Sequence, residues 1–200
     1  MNAPETPSIL NTPLRTQFDG GDRLAGFIRA GDTTRAILLP PKAERDHPAA
    51  VWNGSLKRVE GALSYHDGQA NTVAMAQAGS AIATFALERG LYIPARDELD
   101  LVYRAFKPGT DDNWGYRSGD NPSSVPPGYP HEPQNPAQCD IEDYRTGGAE
   151  AILEGWVWTS TQYAGYDAYA WCQGFRDGGQ DRYHKDLEFA VVLVRSVIIR

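Results

Sequence analysis

From Lys107 to Gly148 the chain shows neither a helical nor a strand repeat of apolar residues. Proline and glycine recur there instead, in Asn121-Pro122, Pro126-Pro127-Gly128, Tyr129-Pro130 and Asn135-Pro136. So long an aperiodic stretch inside a compact domain is uncommon, and is normally functional or tied down by its own side chains. Trp114, Tyr116, Tyr129 and Tyr144 are the aromatics expected to tie it. A simple helical bundle is excluded, because it has no place for such a segment. The composition agrees: 20 Gly and 14 Pro beside 5 Trp and 10 Tyr describe irregular backbone held by large flat side chains. A chain of 200 residues is long enough for one domain with a real core.

On either side of this segment the pattern is regular. Leu24-Ala25-Gly26-Phe27-Ile28 and Ala36-Ile37-Leu38-Leu39 are apolar runs joined by the turn-rich Arg29-Ala30-Gly31-Asp32-Thr33, which predicts a β-hairpin ended by Pro40-Pro41. Met75, Ala78, Ile82, Phe85 and Ala86 recur at helical spacing and predict one helix ending near Gly90. After Pro94, the stripe Leu99, Val102, Tyr103 and Phe106 predicts a second helix. Asp97 and Glu98 in its first turn complement the helix dipole, and Pro108-Gly109 stops it. Strands follow over Gly155–Ser160 and Ala168–Cys172, and Phe189–Val197, apolar on both faces, reads as a central, doubly covered strand.

Charge and targeting signals narrow the class of function. Nineteen basic and 26 acidic residues give a net charge of -7 without a basic cluster, which argues against nucleic acid as a partner. No apolar run approaches the roughly 20 residues of a membrane span. The N-terminus Met1-Asn2-Ala3-Pro4-Glu5-Thr6-Pro7 has neither the basic start nor the apolar stretch of a secretory signal. Cys139 and Cys172 lack CxxC spacing and clustered histidines, which argues against a tetrahedral zinc site and leaves a disulfide or two reduced thiols open.

Several local strings resemble the C-terminal domain family of Lcl-type adhesins, a C-type-lectin-like domain. They are Gly61–Thr72 before the first helix, Leu91-Tyr92-Ile93-Pro94-Ala95-Arg96-Asp97-Glu98-Leu99 opening the second, Trp158-Thr159-Ser160-Thr161, and the closing Val192-Leu193-Val194-Arg195-Ser196-Val197. Where the family commonly has Leu-Pro-Thr-Arg, this chain has Ile93-Pro94-Ala95-Arg96, without the hydroxyl that could cap the helix. The resemblance implies an α+β, C-type-lectin-like fold: two helices packed on a small, twisted, mainly antiparallel sheet with long irregular loops. Residues 1–17, with three prolines and too little periodic apolar content to bury on their own, read as an N-terminal arm before a domain over 18–200. Within the domain, 18–59 form the hairpin and lead-in, and 60–200 form the family-like core with 107–148 as a loop insertion.

Proteins with such domains occur as bacterial surface adhesins and as phage or prophage tail proteins that contact the host, and the missing signal peptide points to the second group. The segment after Trp158-Thr159-Ser160 also resembles the variable region of retroelement-diversified tail proteins. The resemblance thus implies a receptor-binding tail protein located in the virion tail. Its partners would be a host surface molecule (glycan, pilus or protein) and other tail proteins held through the arm. Weak single sites favour several copies, so a homotrimer is expected.

The candidate binding residues lie between Gln162 and Asp186. Tyr163, Tyr166, Asp167, Tyr169, Gln173, Arg176, Asp177, Gln180, Asp181, Tyr183 and His184 are interleaved there with glycines, the composition of a binding loop in which tyrosines give contact area at low entropic cost. Tyr163, Tyr166 and Tyr183 are expected at the surface. In a strand Tyr169 and Trp171 share a face opposite Ala170 and Cys172, and one pair must point inward. Trp52, Trp114, Trp156 and Trp158 are read as pins of the fold, and Arg195 as paired with a carboxylate.

His131-Glu132-Pro133-Gln134 resembles the Glu-Pro-Asn calcium signature of classical C-type lectins, but Gln stands in place of Asn and no Trp-Asn-Asp string follows, so no cofactor is expected. His66-Asp67 and His184-Lys185-Asp186 read as turn or surface rather than as acid–base pairs. Two alternatives stand beside binding. One is a structural tail protein without receptor contact. The other is an enzyme, either a glycan-acting carboxylate pair or a formylglycine-generating-like oxidase needing two cooperating thiols.

Overall fold

The computed structural model describes residues 9–114, 120–128 and 130–199. The fold is α+β, with four α-helices and two sheets. Strand β1 (Arg23–Ala30) turns back as β2 (Thr33–Leu39) through Gly31, whose φ of 61° is the left-handed conformation that so tight a link requires. The expected hairpin is therefore present. A single helical turn, α1 (Lys42–Arg45), and the strand β3 (Asp46–Val51) follow, neither signalled by the sequence pattern.

The helix expected across Met75–Ala86 is two helices, α2 (Gly68–Gln77) and α3 (Ala81–Glu88). Gly79 separates them at φ 87°, a conformation that ends one helix and lets the chain restart at Ser80. Helix α4 (Arg96–Phe106) stands where expected, and the first strand after the long segment is β4 (Trp156–Gln162). Next come β5 (Tyr169–Gly174), β6 (Gln180–His184), β7 (Glu188–Val192) and β8 (Arg195–Ile199).

The single strand read over Phe189–Val197 is thus two strands in different sheets. One sheet has the order β1-β2-β8, the other β3-β7-β4-β5-β6, and only the β4–β7 pairing is parallel. Leu193 and Val194 make the crossing. Leu193 enters the core formed by α2, α3 and the larger sheet, while Val194 enters the core formed by α4 and the hairpin and exchanges two backbone hydrogen bonds with Tyr92. Apolar character on both faces reported two cores rather than two layers over one strand.

Glu98 joins the helices to each other. Its buried carboxylate accepts hydrogen bonds from Gly68 N (3.0 Å) at the start of α2, from Ala95 N (2.8 Å) at the start of α4, and from the Tyr92 hydroxyl (3.3 Å). Ala95 lacks the side-chain cap that a threonine would supply. That role passes to Thr161 of β4, whose hydroxyl accepts from Arg96 N at 3.0 Å. Asp67 caps α2 through Ala70 N and pairs with Arg35 of β2, so His66-Asp67 serves structure rather than proton transfer.

The aperiodic segment contains only one short 3-10 turn, Glu142–Tyr144, among its described residues. Polar side chains tie it down more than aromatics do. Asn113 accepts from the Tyr103 hydroxyl at 2.6 Å and donates to the carbonyls of Glu132 and Pro136, each at 2.9 Å. Asn121 donates to the Asp97 carbonyl (2.7 Å) and the Asp100 carboxylate (3.1 Å), and Ser123 donates to the Asp97 carboxylate at 2.7 Å. Tyr144 is buried as expected, but Trp114 is 57% exposed and does not pin the core, while Tyr116 and Tyr129 lie outside the described residues. At the segment's end, buried Arg45 grips the Glu150 carboxylate (2.7 Å) and carbonyl (2.6 Å). Trp52 and Trp158 are fully buried pins, whereas Trp156 is half-buried. The carboxylate partners of Arg195 are Glu44 (2.9 Å) and Asp22 (3.4 Å). Of the arm, residues Arg15 and Gln17 lie against β1, through Arg15 N to the Leu24 carbonyl at 2.8 Å and a bridge from Gln17 to Arg23.

Two predictions follow from Glu98. Burial lifts its pKa from 4.5 to about 8, against the opposing pull of its backbone hydrogen bonds. The folded state therefore holds a proton that the unfolded state releases, so this contribution to stability is complete below pH 4.5 and is lost as pH rises through 8. Glutamine mimics the protonated form, so thermal melts from pH 5 to 8 should show the wild type losing stability relative to Glu98→Gln. A Cβ on Gly68 would lie 2.3 Å from Glu98 Oε2 and 2.6 Å from Ala95 N. Urea unfolding should show Gly68→Ala destabilised by about 3 kcal/mol.

Candidate aromatic binding face

The stretch read as a binding loop is mostly the β5–β6 hairpin, and strand alternation sorts its residues. Ala170 and Cys172 point into the core beneath α2 and α3. Tyr183, paired with Ala170, points the same way and packs on Trp156 (5.2 Å between centroids) and Phe189 (5.3 Å), so it is half-buried and lies on the side away from the other tyrosines. Tyr169, Trp171 and Gln173 take the opposite face, beside their partners His184, Arg182 and Gln180.

Exposure along that face is graded. Gln173 and Gln180 are buried under α4: Gln180 donates to the Arg96 carbonyl at 3.3 Å, and Gln173 to the Gly178 carbonyl at 3.2 Å and the Asp100 carboxylate at 3.4 Å. They are struts rather than contact residues. Trp171, in the middle, is only 2% exposed, covered not by the core but by side chains standing on the outer face. Tyr169 and His184 end the row in solvent, their rings 5.4 Å apart.

The cover over Trp171 is made of two guanidiniums and two tyrosine rings. Arg96 lies 4.8 Å from the Trp171 centroid and 5.0 Å from that of Tyr65; Arg182 lies 5.9 Å from Trp171 and 5.2 Å from Tyr163. Both tyrosines also meet Trp171 edge-on, Tyr65 at 6.2 Å and Tyr163 at 5.7 Å. From Tyr163 the rings continue to Tyr166 (6.2 Å) and then Tyr169 (6.1 Å). Tyr166 is 69% exposed, Tyr65 37% and Tyr169 36%, while Tyr163 is half-buried.

The tip that carries these rings fixes its own backbone. Tyr163 N donates to the Tyr169 carbonyl (2.9 Å) and Tyr169 N to the Tyr166 carbonyl (3.0 Å). Gly165 is needed between them, because a Cβ there would lie 2.8 Å from the Tyr163 ring. Asp167 at the tip pairs with Arg58 at 3.5 Å, and His184 contacts Asp186 through Nδ1. Beneath the tip, buried Lys185 donates to Gln162 Oε1 (2.6 Å) and the Lys57 carbonyl (3.1 Å), and burial lowers its pKa to about 8.

The predicted set therefore divides. Tyr163, Tyr166, Asp167, Tyr169 and His184 share one surface, Gln173 and Gln180 are buried, and Tyr183 is half-buried on the opposite side. Arg176 and Asp177 sit at the opposite end of the hairpin, where Arg176 pairs with Asp111 and the Asp177 carbonyl accepts from Trp114 N at 2.7 Å. Asp181, paired with Cys172, takes the side opposite this face and caps Arg182 N at 2.8 Å. The residues missed are Tyr65, Arg96 and Arg182. Cation–π pairs between distant segments leave no periodic signal, although Arg182 could have been placed opposite Trp171 once β6 was recognised.

Other candidate chemistry is accounted for by packing. His131 is buried, with Nε2 3.3 Å from an Asp100 oxygen. Burial alone would raise the Asp100 pKa, but His131 and Arg104 outweigh it and hold the carboxyl below its usual range. No group of three or more His, Cys, Asp or Glu gathers as metal ligands among the described residues. Cys139 and Cys172 are free thiols in separate cores, and burial raises both pKa values, so they do not form a two-thiolate site. A groove of about 640 Å³ lies away from the aromatic face, between Leu10, Leu14, Phe27, Leu101, Val125 and Pro136. Comparison with known proteins found no match among family models, curated proteins or solved structures.

The two classes of ring should separate in unfolding experiments. Trp171→Ala removes the centre of the stack and should cost about 3–5 kcal/mol. Tyr166→Ala, on the exposed tip, should change stability by less than about 0.5 kcal/mol.

Proposed function

We propose that the chain is a receptor-binding protein of a phage or prophage tail, built on a C-type-lectin-like fold, and that it acts by binding rather than catalysis. The observation that carries this reading is the aromatic face: four tyrosines and a tryptophan in one contiguous row, with its outer members in solvent. Rings already held by neighbouring rings and guanidiniums lose little freedom on contact, which is how tyrosine-rich paratopes gain affinity. The host surface molecule, whether glycan, pilus or protein, is engaged through Tyr163, Tyr166, Asp167, Tyr169 and His184. The arm docks the chain to other tail proteins, and a homotrimer on the virion tail multiplies a weak single site into firm attachment.

The test is adsorption to host cells by purified protein. Tyr166→Ala combined with Tyr169→Ala should remain folded, since Tyr166 is exposed and Tyr169 lies at the open end of the face, and should lose most cell binding. Undiminished adsorption by that double variant overturns the assignment. Tyr183 is left unchanged in this test because its ring packs inward.

A further inference from the structure

We propose that the outer corner of the aromatic face, formed by Tyr166 and Tyr169 with Asp167 beside them, is a seat for an arginine side chain of a protein partner. The inference rests on the binding role proposed above and adds the chemistry of the partner. It comes from the pattern of the stack. The guanidinium of Arg96 lies over both Tyr65 and Trp171, and that of Arg182 over both Trp171 and Tyr163. Beyond Tyr163 the rings continue, but no cationic side chain of the described residues lies over Tyr166 or Tyr169.

The geometry of that corner suits a flat cation. The Tyr166 and Tyr169 rings, 6.1 Å apart at 59°, form an open angle, and each ring face carries the negative end of its quadrupole. Asp167 is adjacent and half exposed, its carboxylate 3.5 Å from an Arg58 that is also held by Glu60 at 3.0 Å. Asp186, beside His184, adds negative charge along the rim, and the whole chain carries -7. A guanidinium stacks on a ring while its N–H edge reaches a carboxylate, a combination that a lysine ammonium does not offer. An anionic ligand would meet ring faces and a carboxylate of its own sign.

The experiment follows the Tyr166 and Tyr169 ring signals by NMR in the full chain. The probes are three short Gly/Ser peptides carrying two arginines, two lysines or two citrullines. Citrulline keeps the shape of arginine without its charge. The arginine peptide should shift both rings, the lysine peptide should bind several-fold more weakly, and the citrulline peptide should not bind. Tyr166→Ala with Tyr169→Ala should weaken the arginine peptide about tenfold. Unchanged Tyr65 and Trp171 signals in the free variant would show that it is folded. Asp167→Asn should weaken binding several-fold and flatten its salt dependence.

Equal binding of the lysine or the citrulline peptide overturns the proposal, as does undiminished binding by the double tyrosine variant. Failure here is distinguishable from failure of the receptor-binding role. If the double variant loses host adsorption while arginine and citrulline peptides behave alike, the face binds its receptor by other chemistry and only the arginine seat is discarded.

Discussion

The buried carboxylate of Glu98 is the contact on which the rest of the architecture depends. It gathers the first backbone amides of two helices and the hydroxyl of Tyr92, and Tyr92 in turn is bonded to Val194, where the chain crosses between sheets. The start of α2, 30 residues away in sequence, is thereby brought within hydrogen-bond reach of the group that closes the start of α4. The arrangement needs Gly68, because any side chain there would occupy the carboxylate's space. It also fixes the start of α4, and the start of α4 carries Arg96. The link from the core to the aromatic face is therefore short: Glu98 sets the helix N-terminus, the helix N-terminus aims Arg96, and Arg96 lies over both Tyr65 and Trp171.

The face is supported from below on independent lines. Gln173 and Gln180 tie the buried end of the hairpin to α4, and Lys185 and Gln162 tie its other end to the segment around Lys57 and Val59. Packing sets the remaining variable, since Cys172 and Ala170 hold one side of β5 in the core while Trp171 is left to be covered by guanidiniums and rings. Rigidity at the exposed end is thus produced by side chains that make no outward contact themselves.

Much of the scaffold was legible in the sequence, and the exceptions have physical reasons. The hairpin, α4 and the strands of the C-terminal quarter follow from periodicity and turn residues that act locally. The split of one helix into α2 and α3 turned on Gly79, which a pattern of apolar residues passes over. The division of Phe189–Val197 between two sheets was invisible because Leu193 and Val194 are equally apolar while serving different cores. Trp114 was misplaced because residue type suggests burial and only the tertiary structure decides it. At the binding face, composition located Tyr163, Tyr166 and Tyr169, but sorting contact residues from struts required the pairing register of β5 and β6, and the arginines between the rings required segments brought together by the fold.

The backbone of the tip from Tyr163 to Tyr169 is closed by its own amides and carbonyls, and its outermost side chains contribute little to the cores. The exposed chemistry of the tip and its foldability are consequently carried by different residues. Positions 164, 166 and 167 can exchange one side chain for another while Gly165, Trp171 and the buried glutamines keep the tip in shape. A chain built this way can change the surface it presents by small steps, each leaving a folded protein for the next.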